Sequence, residues 1–164
     1  MAMHTPLNEA QITSIWERQI AAEVRALYFA DLASSYTRQK QWITGASFFL
    51  ASGAAATLLA KSPSWVPLAL ACITALLSAY SVARGLDGAT RTMSKFQFSW
   101  SELASGYEAL WNDVYSGDAI SRLDALIARE HDLSSQASTD APNDQKRLTY
   151  WQLEVFKQHH LVAA

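Results

Sequence analysis

The stretch QWITGASFFLASGAAATLLAKSPSWVPLALACITALLSAYSVA, residues 41–83, sets the class of this protein. Lys61 is its only charged residue, whereas the sequence on either side is dense in acidic and basic side chains. Two charge-free runs, 41–60 and 65–83, are joined by Lys61-Ser62-Pro63-Ser64. A helix of ~20 residues rising ~1.5 Å per residue covers roughly 30 Å, the thickness of bilayer hydrocarbon. Each run is therefore read as a transmembrane helix, with the connector as a tight external turn. Trp42 and Trp65 stand at the edges of these runs, where indole rings favour the headgroup layer. Pro67 falls in the first turn of the second helix, where its missing N–H costs little. The competing reading is a water-soluble bundle with the hairpin buried in it. Two consecutive charge-free stretches of this length favour spans.

Orientation follows from the basic residues. Arg25, Arg38 and Lys40 precede the hairpin, Arg84, Arg91 and Lys95 follow it, and Lys61 alone marks the tip. This bias predicts both termini in the cytoplasm and the turn outside, in a multi-pass inner-membrane protein. Arg38, Lys40, Trp42, Trp65 and Arg84 are the expected anchors at the membrane interface, the cations holding against anionic headgroups. No basic region followed by a short apolar one opens the chain, so the first span is expected to act as its own anchor.

The flanks read as helices. Ile12, Trp16, Ile20, Val24, Leu27 and Tyr28 recur at spacings of three and four, and nothing breaks the pattern before Gly45. An amphipathic helix is expected over 8–40, with Thr5 or Asn8 as N-cap, running on into the first span. After the second span, Phe96, Trp100, Leu103, Tyr107, Leu110, Trp111 and Val114 predict another long helix, with Gly85 and Gly88 loosening the exit. Ser116-Gly117-Asp118 ends it, and a short helix follows with Ile120, Leu123, Leu126 and Ile127 inward. Residues 134–145, SSQASTDAPNDQ, read as a polar linker before a last helix over 146–161. The expected organisation is thus a cytoplasmic helix over 1–40, spans at 41–60 and 65–83 around the turn 61–64, cytoplasmic helices over 84–133, and a linker with a C-terminal helix over 134–164. The fold class is an all-α membrane protein.

Small side chains line one side of each span. Ala71, Ala75, Ala79 and Ala83 form a ridge at i, i+4, with Thr74 and Ser78 beside it. The first span carries Thr44, Ser47, Ala51 and Ala55 in a similar stripe. Lipid tails are as apolar as leucine, so helices associate in a bilayer through close packing of small residues and hydrogen bonds between them. The plain reading is that the two stripes face each other within one hairpin. The surface is wider than one partner requires, however, which points to a homo-oligomer in which part of it packs against neighbours or lines a pore. Two helices cannot enclose water, so any pore requires several copies.

The 13 basic and 15 acidic residues nearly cancel, and the basic ones are too dispersed for nucleic acid. Cys72 has no partner in the chain, so no disulfide framework is implied. His159 and His160 are adjacent and diverge around a helix, His4 and His131 lack companion ligands, and Glu130-His131-Asp132 fan apart in the same way. There is no phosphate loop, nucleophile elbow or zinc-hydrolase motif. No enzyme activity, cofactor or metal is expected.

The layout nevertheless has a familiar form. YFADLASSYTRQKQWITGASFFLASGAAATLLAKSPS, residues 28–64, and PLALACITALLSAYSVARGLDGATRTMSKFQFSWSELASGYEALW, residues 67–111, resemble the SLATT domains. These are small bacterial two-transmembrane proteins found with nucleotide-generating enzymes and other conflict systems. The resemblance covers about residues 20 to 115 and carries no catalytic motif. It implies a membrane effector of antiviral defence that oligomerises to form a pore or disrupt the membrane. The trigger would be a cytoplasmic partner protein or a nucleotide second-messenger system. The alternative is a non-enzymatic two-helix anchor that recruits a cytoplasmic partner.

Overall fold

A computed structural model describes residues 7–51, 65–83 and 85–161, with backbone alone at 51, 67, 68, 81 and 82. Among the described residues there are five helices and no strand: α1 Glu9–Ala51, α2 Trp65–Ala83, α3 Leu86–Trp111, α4 Ala119–Asp140 and α5 Gln145–Gln158. The all-α class is as expected. The turn 61–64, Ala55 and Arg84 lie outside the described residues. Among those that are described, no helix is long and apolar enough to cross a membrane.

Helix boundaries follow local chemistry. Asn8 caps α1 through a reciprocal pair: its Oδ1 accepts from the Gln11 amide at 2.8 Å, and Gln11 Oε1 accepts from the Asn8 amide at 2.9 Å. From there α1 runs unbroken for 43 residues through the expected membrane boundary. The bounds of α2 are those expected for the second span. Gly85 takes a left-handed φ of 54°, a conformation that suits glycine and separates α2 from α3. Gly88 does not interrupt α3.

Two boundary expectations fail. α3 ends at Trp111, and Val114 lies in the turns that lead to Ser116-Gly117-Asp118. Residues 134–140 are not a linker but the last turns of α4, which is 22 residues long rather than short. Leu133 is buried and Ala137 half-buried, so one stripe of this polar stretch still packs. The helix stops because Pro142 disfavours helical backbone in the residue before it, and Ala141 is extended at φ −112°, ψ 144°. The true linker is 141–144. Asp144 then caps α5 by accepting from the Arg147 amide at 3.2 Å.

The chain divides into two compact units, Met1–Asp31 with Thr92–Ala164, and Leu32–Arg91. In the first, Ile15, Trp100, Leu103, Tyr107 and Leu110 are almost fully buried. Ile20 and Val24 of α1 pack with Val155 of α5, sealed by Trp16, Leu27, Leu148, Trp151 and Phe156. Burial on α1 extends beyond the stripe expected from its periodicity, to Ile15, Ala22, Ala26 and Phe29. Its alanines leave room for close neighbours on more than one side. In the second unit, Leu32, Ala33 and Leu86 are buried, and Lys40 Nζ meets Asp87 Oδ1 at 2.5 Å.

Candidate functional site

The second unit presents an apolar surface. Trp42 is 80% exposed, Phe48 76%, Trp65 67% and Leu76 70%, with Phe49, Ile73 and Tyr80 also open. By contrast, Trp100 in the first unit is 1% exposed. The expected anchors Arg38, Lys40, Trp42 and Trp65 are all exposed. Arg38, Gln41 and Trp42 occupy one face of α1 and border a shallow surface depression.

The small-residue positions fall unevenly. Ala71, Ala75, Ser78, Ala79 and Ala83 are exposed, whereas the half-buried face of α2 is Val66, Ala69, Leu70, Thr74 and Leu77. The alanine ridge is therefore open, and the contact within the unit uses the neighbouring strip. Thr74 spends its hydroxyl proton on the Leu70 carbonyl of its own helix at 2.9 Å. Gln39 Nε2 donates to Tyr80 Oη at 3.2 Å, linking α1 to α2. On α1, Thr44 is exposed and Ser47 half-buried, and Ala51 is described by its backbone alone. Cys72 is exposed.

A polar cluster that sequence reasoning missed sits in the first unit. The Glu130 side chain is 12% exposed and accepts from Arg18 Nη1 at 2.7 Å, Tyr107 Oη at 2.9 Å and Arg25 Nη1 at 3.3 Å. Burial pushes the Glu130 carboxyl up, but the bonds from Arg18 and Tyr107 and the charges of Arg18 and Arg25 outweigh it. The group is held below its ordinary 4.5. Burial, then the bond to Glu130, raises the Tyr107 phenol far above its ordinary 10.0. For Arg18, burial lowers the pKa, but Glu130 more than compensates and the guanidinium stays charged. Arg25 also lies 4.6 Å from the centroid of the Trp100 ring, a cation–π contact. The consecutive residues 130–132 do diverge: Glu130 points inward while His131 and Asp132 are exposed.

Beside this cluster the 141–144 linker is fastened to α1. Tyr28 Oη donates to the Pro142 carbonyl at 2.5 Å and accepts from the Asp144 amide at 3.1 Å. Arg147 reaches Asp31 at 3.3 Å, and His159 Nε2 lies 2.9 Å from Glu23 Oε2. A cleft of about 350 Å³ opens here, bordered by Arg25, Phe29, Ser134, Ala137 and Asn143. The histidine pair diverges, with His159 on Glu23 and His160 exposed. The described residues contain no group of three or more His, Cys, Asp or Glu arranged to hold a metal ion. The geometry offers a lipid-compatible surface in one unit and an arginine-lined cleft in the other. Compared with known proteins, the chain matches no family model, no curated protein and no solved structure.

Proposed function

We propose that the chain is a membrane effector of bacterial antiviral defence. Residues 41–83 form a two-helix hairpin in the inner membrane with both termini cytoplasmic. Copies assemble through the open alanine ridge of α2, and the triggered assembly forms a pore or disrupts the membrane. The observation that carries the membrane part is the exposure of Trp42, Phe48, Phe49, Trp65 and Leu76 within a segment whose single charge is Lys61. Large contiguous apolar surfaces on a protein mark a partner or a membrane. No described helix is long and apolar enough to cross a membrane, and the proposed hairpin includes residues 52–64, which lie outside the described residues. The defence role rests on the resemblance of residues 20–115 to SLATT domains.

The experiment has two arms. Membranes from expressing cells are washed with alkaline carbonate and treated with a membrane-impermeant maleimide. The protein stays in the pellet, and Cys72, at mid-helix and exposed in the isolated chain, remains unlabelled until the bilayer is dissolved. Release into the wash or immediate labelling overturns the hairpin. Under full activation the membrane depolarises, and an intact potential overturns the effector role.

A second reading, the non-enzymatic anchor, is favoured by the core of the first unit, where Trp100, Leu103 and Tyr107 are almost fully buried. Replacing 41–83 with a foreign two-helix hairpin separates the two. An anchor keeps its function and an effector loses it.

A further inference from the structure

We propose that the cleft beside Arg25 is a binding site for a small organic anion, a carboxylate or phosphate monoester on a compact apolar body. The inference does not depend on the membrane reading, because every residue involved belongs to the first unit.

The charge balance is the first ground. Two guanidiniums, Arg18 and Arg25, share the single carboxylate of Glu130, which leaves the cluster with one excess positive charge. Neither arginine pairs with another acidic group among the described residues. Arg18 holds the short bond. Arg25 is attached more loosely, at 3.3 Å through one nitrogen, and its side chain is 39% exposed. Arginine carries five N–H donors in a planar fork. Arg25 uses one on Glu130, and Trp100 lies 4.6 Å from its guanidinium carbon, restraining the side chain. The ring contact limits its swing, and most of its donors remain unused by Glu130. A restrained fork suits bidentate recognition of carboxylate or phosphate oxygens.

The cleft walls supply the rest. Ser134 lies one turn before Ser138 on α4, and Asn143 stands on the linker. Among the described residues the side chains of Ser134 and Asn143 make no hydrogen bond, so a hydroxyl and an amide on the cleft border remain to donate. Ser138 already donates to the Ser135 carbonyl at 2.7 Å and marks the exposed rim. Behind these donors the lining is apolar, with Phe29, Ala137, Ala141 and Leu148. A guanidinium, a hydroxyl and an amide bordering the same cleft of about 350 Å³ as these apolar side chains are the kinds of group that small-molecule sites combine. Inorganic phosphate would leave the apolar lining uncovered, so that lining selects a ligand with a body. The tie from Tyr28 to Pro142 and Asp144 fixes one wall of the cleft.

The test titrates the full-length purified chain with phenyl phosphate, benzoate, inorganic phosphate and neutral benzyl alcohol by calorimetry. At least one aromatic anion saturates, and the lower dissociation constant identifies the preferred anion. Inorganic phosphate and benzyl alcohol each bind at least about tenfold more weakly, a difference of about 1.4 kcal/mol. Arg25→Gln and Ser138→Asp both weaken the aromatic anion by about tenfold or more. Ser138→Asp carries the test alone should Arg25→Gln unfold, because it adds a negative charge on the exposed rim without touching the core. The proposal is overturned by no saturation below about 10 mM for either aromatic anion. Equal binding of benzyl alcohol or of inorganic phosphate, or an unchanged affinity in folded Ser138→Asp, overturns it as well.

Discussion

Arg18 and Glu130, 112 positions apart in sequence, meet at 2.7 Å and fasten the first turns of α1 to the middle of α4. Tyr107 of α3 donates to the same carboxylate oxygen as Arg18. Three helices of the first unit therefore converge on one mostly buried carboxylate, and the consequences of disturbing it can be stated in advance.

Glu130→Gln keeps the shape and removes the charge, leaving two guanidiniums opposite a neutral amide. Removing one partner of a buried pair is costly because the other is left uncompensated. With the arginines partly in water, the loss is expected at about 2 kcal/mol, at the low end for charged hydrogen bonds. Thermal unfolding followed by circular dichroism measures it. An unchanged midpoint would show that the cluster is incidental.

Acid acts through the same group. The folded-state pKa of Glu130 is depressed, so its contribution to stability is fully present above the ordinary value of 4.5. It is lost as pH falls below 4.5 through the folded-state value. Urea midpoints taken from pH 7 downward are therefore expected to drop in that window. The drop is smaller in Glu130→Gln, and parallel curves for the two proteins would contradict the assignment.

Gly106 of α3 sits against α4. A Cβ built there would lie 2.8 Å from Leu126 Cδ2, the far end of a flexible side chain. Gly106→Ala is expected to change stability by less than about 1 kcal/mol, since helix propensity gained offsets the shift forced on Leu126. Gly106→Leu has no such room and costs about 2–3 kcal/mol through overpacking. Urea denaturation of both variants distinguishes a close contact from an open face.

Tyr28→Phe removes a hydroxyl that both donates to Pro142 and accepts from the Asp144 amide. A loss of about 1–2 kcal/mol is expected. Amide exchange reads it locally: protection falls at 141–147 and is retained at the Trp100–Tyr107 core. Uniform loss across the first unit would mean that the linker is not a separate fastening.

Much of the helical order was legible in residues 8–133. Asn8, the absence of a breaker before Gly45 and the apolar spacing of α3 act over one or two turns, and sequence displays such effects directly. The end of α3 falls earlier than that spacing predicts: the helix stops at Trp111, short of Ser116-Gly117-Asp118. The end of α4 was not legible. SSQASTD has a linker's composition, yet it stays helical because Leu133 finds a buried place and helix-breaking backbone is imposed only at Ala141 by Pro142. The Glu130 cluster was likewise hidden, since neither Arg18 nor Arg25 is near it in the chain.

Local chemistry along the chain therefore fixed where the helices begin and which segment, 41–83, is nearly free of charge. Spatial convergence fixed which polar groups meet, which face of α2 is half-buried, and which alanines are left open. The physical reason is range. Caps, breakers and hydrophobic periodicity operate within a few residues, whereas a carboxylate shared by two arginines and a tyrosine requires chain closure over more than a hundred positions, which no local pattern encodes.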